Sequence, residues 1–326
     1  MPKPSASLPF QRGGIPAFLS FSSPIWRWAI FAIVIWGLVE VGSYRWTTAP
    51  AEGKQFAIVP REPKYQPLSA TRQPVLRLAT FNMHGAKGED KVKSLARTAE
   101  FVKKFQPDFL ALQEVHYNGW LERSNQAERL GWMLEYDWLF APTSYRWGML
   151  EFGNGVLSRY PVEQWLRRPL PVSSDRTPRN WVLSEIVFDS RRIRILSTHL
   201  DTYDGDSLKH MATAKAMFLE LEPPAVLLGD LNARADHPQI LALCNHPEVR
   251  FTKEEDQSPN GPDWKIDWIF LRGLQPVQAG WEKSVVSDHP LYWVDVTWPD
   301  PEQYEPSPNE ESNGVQVGAN PTSKQR

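Results

Sequence analysis

Polar side chains of a few types stand at the ends of short apolar runs: Asn82, Glu114, His199, Asp230 with Asn232, Asp267, and Asp288 with His289. One acid or amide at such a point caps a turn, because Asp and Asn bond nearby backbone N–H groups. The repetition argues for chemistry. Glu114 and Asp230 are hard oxygen donors, and Asn82 and Asn232 add amide oxygens. That set suits Mg2+, with Mn2+ or Ca2+ as alternatives, and not zinc. His199 and His289 can give or take protons near neutral pH. With no serine or cysteine nucleophile motif beside them, these groups point to metal-assisted hydrolysis by water. Phosphate esters are the natural substrates, since a divalent cation offsets charge on phosphoryl oxygens.

The elements that would position these groups are short. The runs 75–81, 109–115, 155–159, 181–188, 193–199, 225–230, 266–271 and 291–298 are rich in β-branched and aromatic residues and are expected to be strands. Lys91–Phe105 and Ser207–Leu221 carry apolar residues at helical spacing. Strands mixed with helices in this order predict an α/β domain over 75–300 with buried sheets.

The blocks ATFNMHG (79–85), LQEV (112–115), GNGVLSRYP (153–161), STHLD (197–201), LLGDLNA (227–233), KIDWIF (265–270) and SDHPL (287–291) resemble the endonuclease/exonuclease/phosphatase superfamily, in its order. The resemblance implies a four-layer α/β/β/α sandwich of two packed sheets with the site at one rim. It makes Glu114 the main metal ligand, helped by Asn82, with Asp288 completing the site. Asp230 and Asn232 would position water and bind phosphate or a second metal. His199 would contact phosphate, and His289 would be the second catalytic histidine, oriented by Asp267. Which group is the general base stays open. His84, where abasic-site endonucleases carry an acid, and Asn154 in the GNGVLSRYP block are further candidates for substrate binding. So is Arg179, whose guanidinium matches phosphate geometry.

The whole chain has 326 residues, 41% hydrophobic and 23% charged, as expected of a globular protein. A single cysteine, Cys244, excludes an internal disulfide and a cysteine-based zinc site. With 36 basic against 38 acidic residues there is no charge excess to attract nucleic acid. Residues 28–46 open on WAIFAIVIWGLV and are expected to be a membrane anchor flanked by aromatic rings, with a cleaved signal peptide and a soluble buried helix as the alternatives. Lys3, Arg12 and Arg27 precede it, which puts residues 1–27 in the cytoplasm and the catalytic domain outside. Residues 47–74 are expected to be a linker and 301–326 a disordered tail. Trp120, Trp132, Trp138 and Trp147 are assigned first to the core, the commonest fate of tryptophan, with stacking on bases or a place in a lipid interface as the alternatives.

The expectation is a membrane-anchored phosphodiester hydrolase acting on nucleic acid or a phospholipid headgroup. A phosphomonoesterase acting on a small phosphorylated substrate, and a non-catalytic envelope protein that reuses the fold for binding, are the alternatives. Oligomeric state is not legible.

Overall fold

A computed structural model describes residues 24–42, 45–47, 49–55, 58, 74–147, 149–171, 177–202, 204–252 and 265–299. The expected cytoplasmic segment up to residue 23, most of the expected linker and the expected tail lie outside them.

Two sheets carry the site. In the first, β3 (Leu76–Asn82) lies parallel to β4 (Phe109–Asn118). Around them run β5 (Asp137–Arg146), β6 (Leu150–Ser158), β12 (Gln275–Glu282) and β13 (Leu291–Thr297), in the order β5-β6-β4-β3-β13-β12. In the second, β9 (Arg191–His199) lies parallel to β10 (Ala225–Asp230). That sheet is ordered β11-β10-β9-β8-β7, with β7 Val162–Pro169, β8 Asn180–Phe188 and β11 Asp267–Arg272.

The central strands are apolar at nearly every position because both faces are buried. In β3, Leu76 and Leu78 pack between the sheets with Phe109, Ile195 and Val226. Ala79 and Phe81 point the other way, with Leu95 and Phe101 of helix α2 (Leu95–Phe105) and Leu130 of α3 (Gln126–Leu134). The far face of the second sheet packs Leu196, Leu227 and Phe270 with Met211 and Phe218 of α4 (Asp204–Glu220) and Ile240 of α5 (Pro238–Cys244). These three cores make the expected helix–sheet–sheet–helix layering.

All eight expected strands form. Three others were not expected because their composition hides them. β7 is half polar and fully buried only at Val162 and Arg167, β12 is a polar edge strand containing Pro276, and β5 holds Pro142. Two very short strands also fall where a linker and the anchor's end were expected. β1 (Arg45–Trp46) pairs with Tyr145 and Ser144, and β2 (Glu52–Gly53) pairs with Leu166 and Trp165. Arg167, 2% exposed, holds this stretch by donating to the carbonyl oxygens of Ala49 and Pro50. The sandwich therefore begins before residue 75.

Helix α1 (Pro24–Gly42) is a unit apart from the sandwich. It starts four residues before the expected span and ends before Arg45 and Trp46, which pair as strand. Among the described residues no helix is long and apolar enough to cross a membrane. The α1 side chains are described only through Leu38. Ile25, Trp28, Ile33 and Trp36 are exposed by 78%, 70%, 65% and 65%.

Gly229 shows how tightly the β9–β10 pair is built. Its φ is 144°, and a Cβ there would stand 2.0 Å from the Thr198 carbonyl oxygen. Gly229→Ala combines backbone strain with a clash against backbone. It should cost about 3 kcal/mol or more, lowering Tm by roughly 6–12 °C for a domain this size. Thermal unfolding followed by circular dichroism checks this, and an unchanged Tm would refute the close approach.

Candidate active site

Strand register assembles half of the site. Asp230 on β10 pairs with His199 on β9 and with Asp267 on β11, so three sequence-expected residues stand in one row. All three are buried. His289 comes from the loop before β13. Its Nδ1 donates to Asp267 Oδ2 at 2.9 Å, and its Nε2 lies 3.8 Å from Asp230 Oδ2. His199 Nε2 approaches the same Asp230 oxygen from the other side, at 3.4 Å.

The first sheet supplies Asn82 and Glu114. Asn82 Oδ1 accepts from the His84 backbone N–H at 3.1 Å, so its Nδ2 faces Asp230 Oδ2 at 3.0 Å and Glu114 Oε1 at 3.3 Å. Asn82 thus turns its N–H groups to two carboxylates, with its Oδ1 engaged by the His84 N–H. Glu114 is not at a strand end. It sits in a β-bulge between Leu112 and Val115, with φ 57°. A bulge inserts an extra residue and re-aims its side chain, and here it turns Glu114 toward Asn82.

Asn232 donates its backbone N–H to Asp230 Oδ1 at 3.0 Å and its Nδ2 to the Leu200 carbonyl, which leaves Oδ1 as its acceptor at the site. Asp288 is half-exposed and turned to His84, with Oδ1 3.3 Å from His84 Nδ1. It lies in no cluster with Asp230. His84, Gly85 and Ala86 form a turn with φ of 48°, 59° and 62°, three left-handed residues in succession. Gln126 Nε2 donates to the Gly85 carbonyl and helps hold that turn.

Asn154 is buried and donates to Asn180 Oδ1 at 2.7 Å, while Asn180 donates to the Ala141 and Pro142 carbonyls. Arg179 Nη1 lies 2.9 Å from His199 Nδ1, and its Nε lies 3.8 Å from Asp201 Oδ2.

Three supporting residues escaped the sequence reading. Ser287 Oγ donates to the Asn82 carbonyl at 2.7 Å and accepts from the His289 N–H, tying the two halves together. Asn180 seats Asn154. Lys265 packs over the rings of Trp268 and Tyr292, near Asp267. Ser287 and Lys265 begin recognised motif blocks, which was the available signal. The tryptophan assignment is corrected: Trp120, Trp132 and Trp147 are exposed by 68%, 55% and 37%, and Trp138 alone packs partly against the core.

Burial drives the electrostatics. It pushes the Asp230 carboxyl up to about 7, helped by the charge of Asp267, against the pull of His289 and Asn82. It also raises Asp267 despite its bond to His289. For His289, burial opposes the charge, but the hydrogen bond and charge of Asp267, then Asp230 and Asp288, prevail and lift it to about 9. His199 is held well below the usual histidine value by burial, then by the charges of Arg179 and His289.

Two buried carboxylates side by side are short of positive charge. Asp267 Oδ1 is buried with no hydrogen-bond partner. Asp230, Asp267 and His289 place one ligand atom each within 4.8 Å of one another. Since His289 is already bonded to Asp267, the donors best suited to a hard divalent cation are the carboxylates of Asp230 and Glu114.

A two-sheet sandwich that gathers acids, amides and imidazoles at one rim defines a hydrolase-like α/β protein. The family model described as the Endonuclease/Exonuclease/phosphatase family matches residues 79–289, and the chain belongs to that family. Solved structures of similar fold include an endonuclease/exonuclease/phosphatase from Beutenbergia cavernae, at 20% identity and TM-score 0.56 over 70% of this chain and 72% of that one. A family protein from Leptotrichia buccalis shows 20% identity and TM-score 0.55 over 68% and 100% of the two chains. The human Nocturnin catalytic domain with bound sulfate anion shows 16% identity and TM-score 0.54 over 70% and 96%. No curated protein matches the chain.

Proposed function

We propose that this protein is a divalent-metal-dependent phosphodiester hydrolase tethered to a membrane, its substrate a nucleic acid or a phospholipid headgroup. The observation that carries the reading is the convergence of His199, His289, Asn82 and Asn232 on one buried carboxylate, Asp230, with Glu114 beside it. Glu114 and Asp230, with the Asn232 amide oxygen, would hold Mg2+; Mn2+ or Ca2+ would suit the same oxygens. When bound, the cation supplies charge to stabilise the developing oxyanion.

The chain's own residues do the rest. Asp230 and Asn232 orient the attacking water. His199 donates a hydrogen bond to a phosphoryl oxygen. His289, held by Asp267, holds or moves a proton at Nε2. The sulfate in Nocturnin shows that a tetrahedral anion binds in that protein, and a phosphoryl group has the same shape.

A phospholipid headgroup is the favoured substrate class. From Trp28 to Leu38 helix α1 carries apolar residues and one glycine all round, as a helix meeting lipid would. Trp120 and Leu121, 68% and 83% exposed, follow the strand that carries Glu114. Lys3 and Arg12 before the helix, with Arg27 in its first turn, support an extracytoplasmic catalytic domain.

The test is hydrolysis by the purified protein with Mg2+ or EDTA, offered supercoiled plasmid and sphingomyelin vesicles in parallel. Metal-dependent headgroup release supports the favoured class, and plasmid nicking alone would move the assignment to a nuclease. Neither activity, with the fold intact, would refute the hydrolase reading for these substrates. Deleting residues 1–43 should move the protein from the membrane to the soluble fraction with activity on a soluble diester retained. Retention in the membrane fraction would refute α1 as the tether. Truncation should stop there, because β1 and β2 belong to the sheets.

A further inference from the structure

We infer that Arg179 fixes His199 as its Nε2-protonated tautomer, so that this histidine presents a hydrogen-bond donor at the site. The tautomer rests on geometry alone; its catalytic consequence rests on the hydrolase reading.

An arginine side chain has only donors. Its Nη1 stands 2.9 Å from His199 Nδ1, so Nδ1 must present its lone pair. The single ring proton is then on Nε2, which points at Asp230 Oδ2, an acceptor, at 3.4 Å. A doubly protonated ring would set N–H against N–H. Asp201 lies beside the guanidinium, with Oδ2 3.8 Å from Nε. His199 itself is 4% exposed, so water does not compete for the ring.

The other histidine is held the opposite way. Its Nδ1 must donate, because Asp267 Oδ2 at 2.9 Å only accepts when ionised. Its Nε2 is therefore the nitrogen that can gain or lose a proton. One imidazole is polarised by a cation and the other by an anion, and the two are not interchangeable. Arg179, expected to be a phosphate clamp, is on this geometry a positioning residue that acts through His199.

Histidine-selective 15N labelling of the full chain, with multiple-bond correlation spectra, reads each ring's tautomer directly. The expected result for His199 at neutral pH is an unprotonated Nδ1 and a protonated Nε2. In Arg179→Met the second tautomer should appear. Turnover of bis(p-nitrophenyl) phosphate with Mg2+ should fall about 10- to 100-fold, the usual effect of losing such a support, and kcat should fall more than KM rises. A protonated Nδ1 in the wild type, an unchanged tautomer in the variant, or a rise in KM alone would each overturn the assignment. A wild-type chain inactive on this diester would sink the hydrolase reading, while the spectra still decide the tautomer.

Discussion

His289→Ala is expected to cut turnover by about 10^3-fold or more while leaving the fold intact. General acid–base groups contribute roughly 10^2- to 10^4-fold, and this residue also brings positive charge to both Asp230 and Asp267. Removing it takes away the proposed proton-exchanging group and the positive charge that both buried carboxylates share. The side chain is only partly buried and lies in a loop, so its loss opens no large cavity in the apolar cores. The measurement is kcat on a soluble phosphodiester, with circular dichroism to show that the variant folds. Turnover within tenfold of wild type would remove His289 from the machinery.

Asp230→Asn should produce two opposite effects. Activity should fall by about 10^3-fold or more, since the amide can neither hold a cation nor orient water as a carboxylate does. Stability in EDTA at alkaline pH should rise. An aspartate unfolds to a group with a pKa of about 3.9, whereas in the folded protein burial and the Asp267 charge raise Asp230 to about 7. Between those values the native state binds the extra proton, so stability declines as pH climbs from about 4 through about 7. The amide carries no such penalty.

The wild type in EDTA should therefore melt lower at pH 8 than at pH 6, and Asp230→Asn should lose less over the same interval. Added Mg2+ should restore much of the difference to the wild type but not to the variant, because a bound cation stabilises the form that binds it. Scanning calorimetry at the two pH values, with and without Mg2+, checks all three. Equal melting of variant and wild type in EDTA at pH 8 would mean that Asp230 is not strained by its burial.

Both effects stem from one design. A carboxylate is costly in a protein interior without positive charge beside it, and the proposed cation would offset that cost. The same tension runs through the left-handed turn at His84–Ala86 and the bulge at Glu114, where the backbone is in conformations that L-residues adopt at a cost. Strain of this kind concentrates where a side chain must be aimed.

The sequence by itself determined the strands buried on both faces, because an apolar residue at nearly every position has no other stable placement in a folded chain. It also determined the reactive types, since acids, amides and imidazoles at the ends of such runs are expensive to bury without purpose. The motif blocks placed those residues in a known family. What only the tertiary structure decided were relations between residues far apart in the chain. Asn82 meets Glu114 and Asp230 through its amide nitrogen, a direction set by a hydrogen bond to His84. Asp288 turns to His84, and Arg179 turns to His199. Residues that looked like a linker are drawn into the sheets by Arg167. Composition and spacing record which groups a chain owns, whereas the direction in which an amide or a guanidinium points depends on neighbours that only folding brings near.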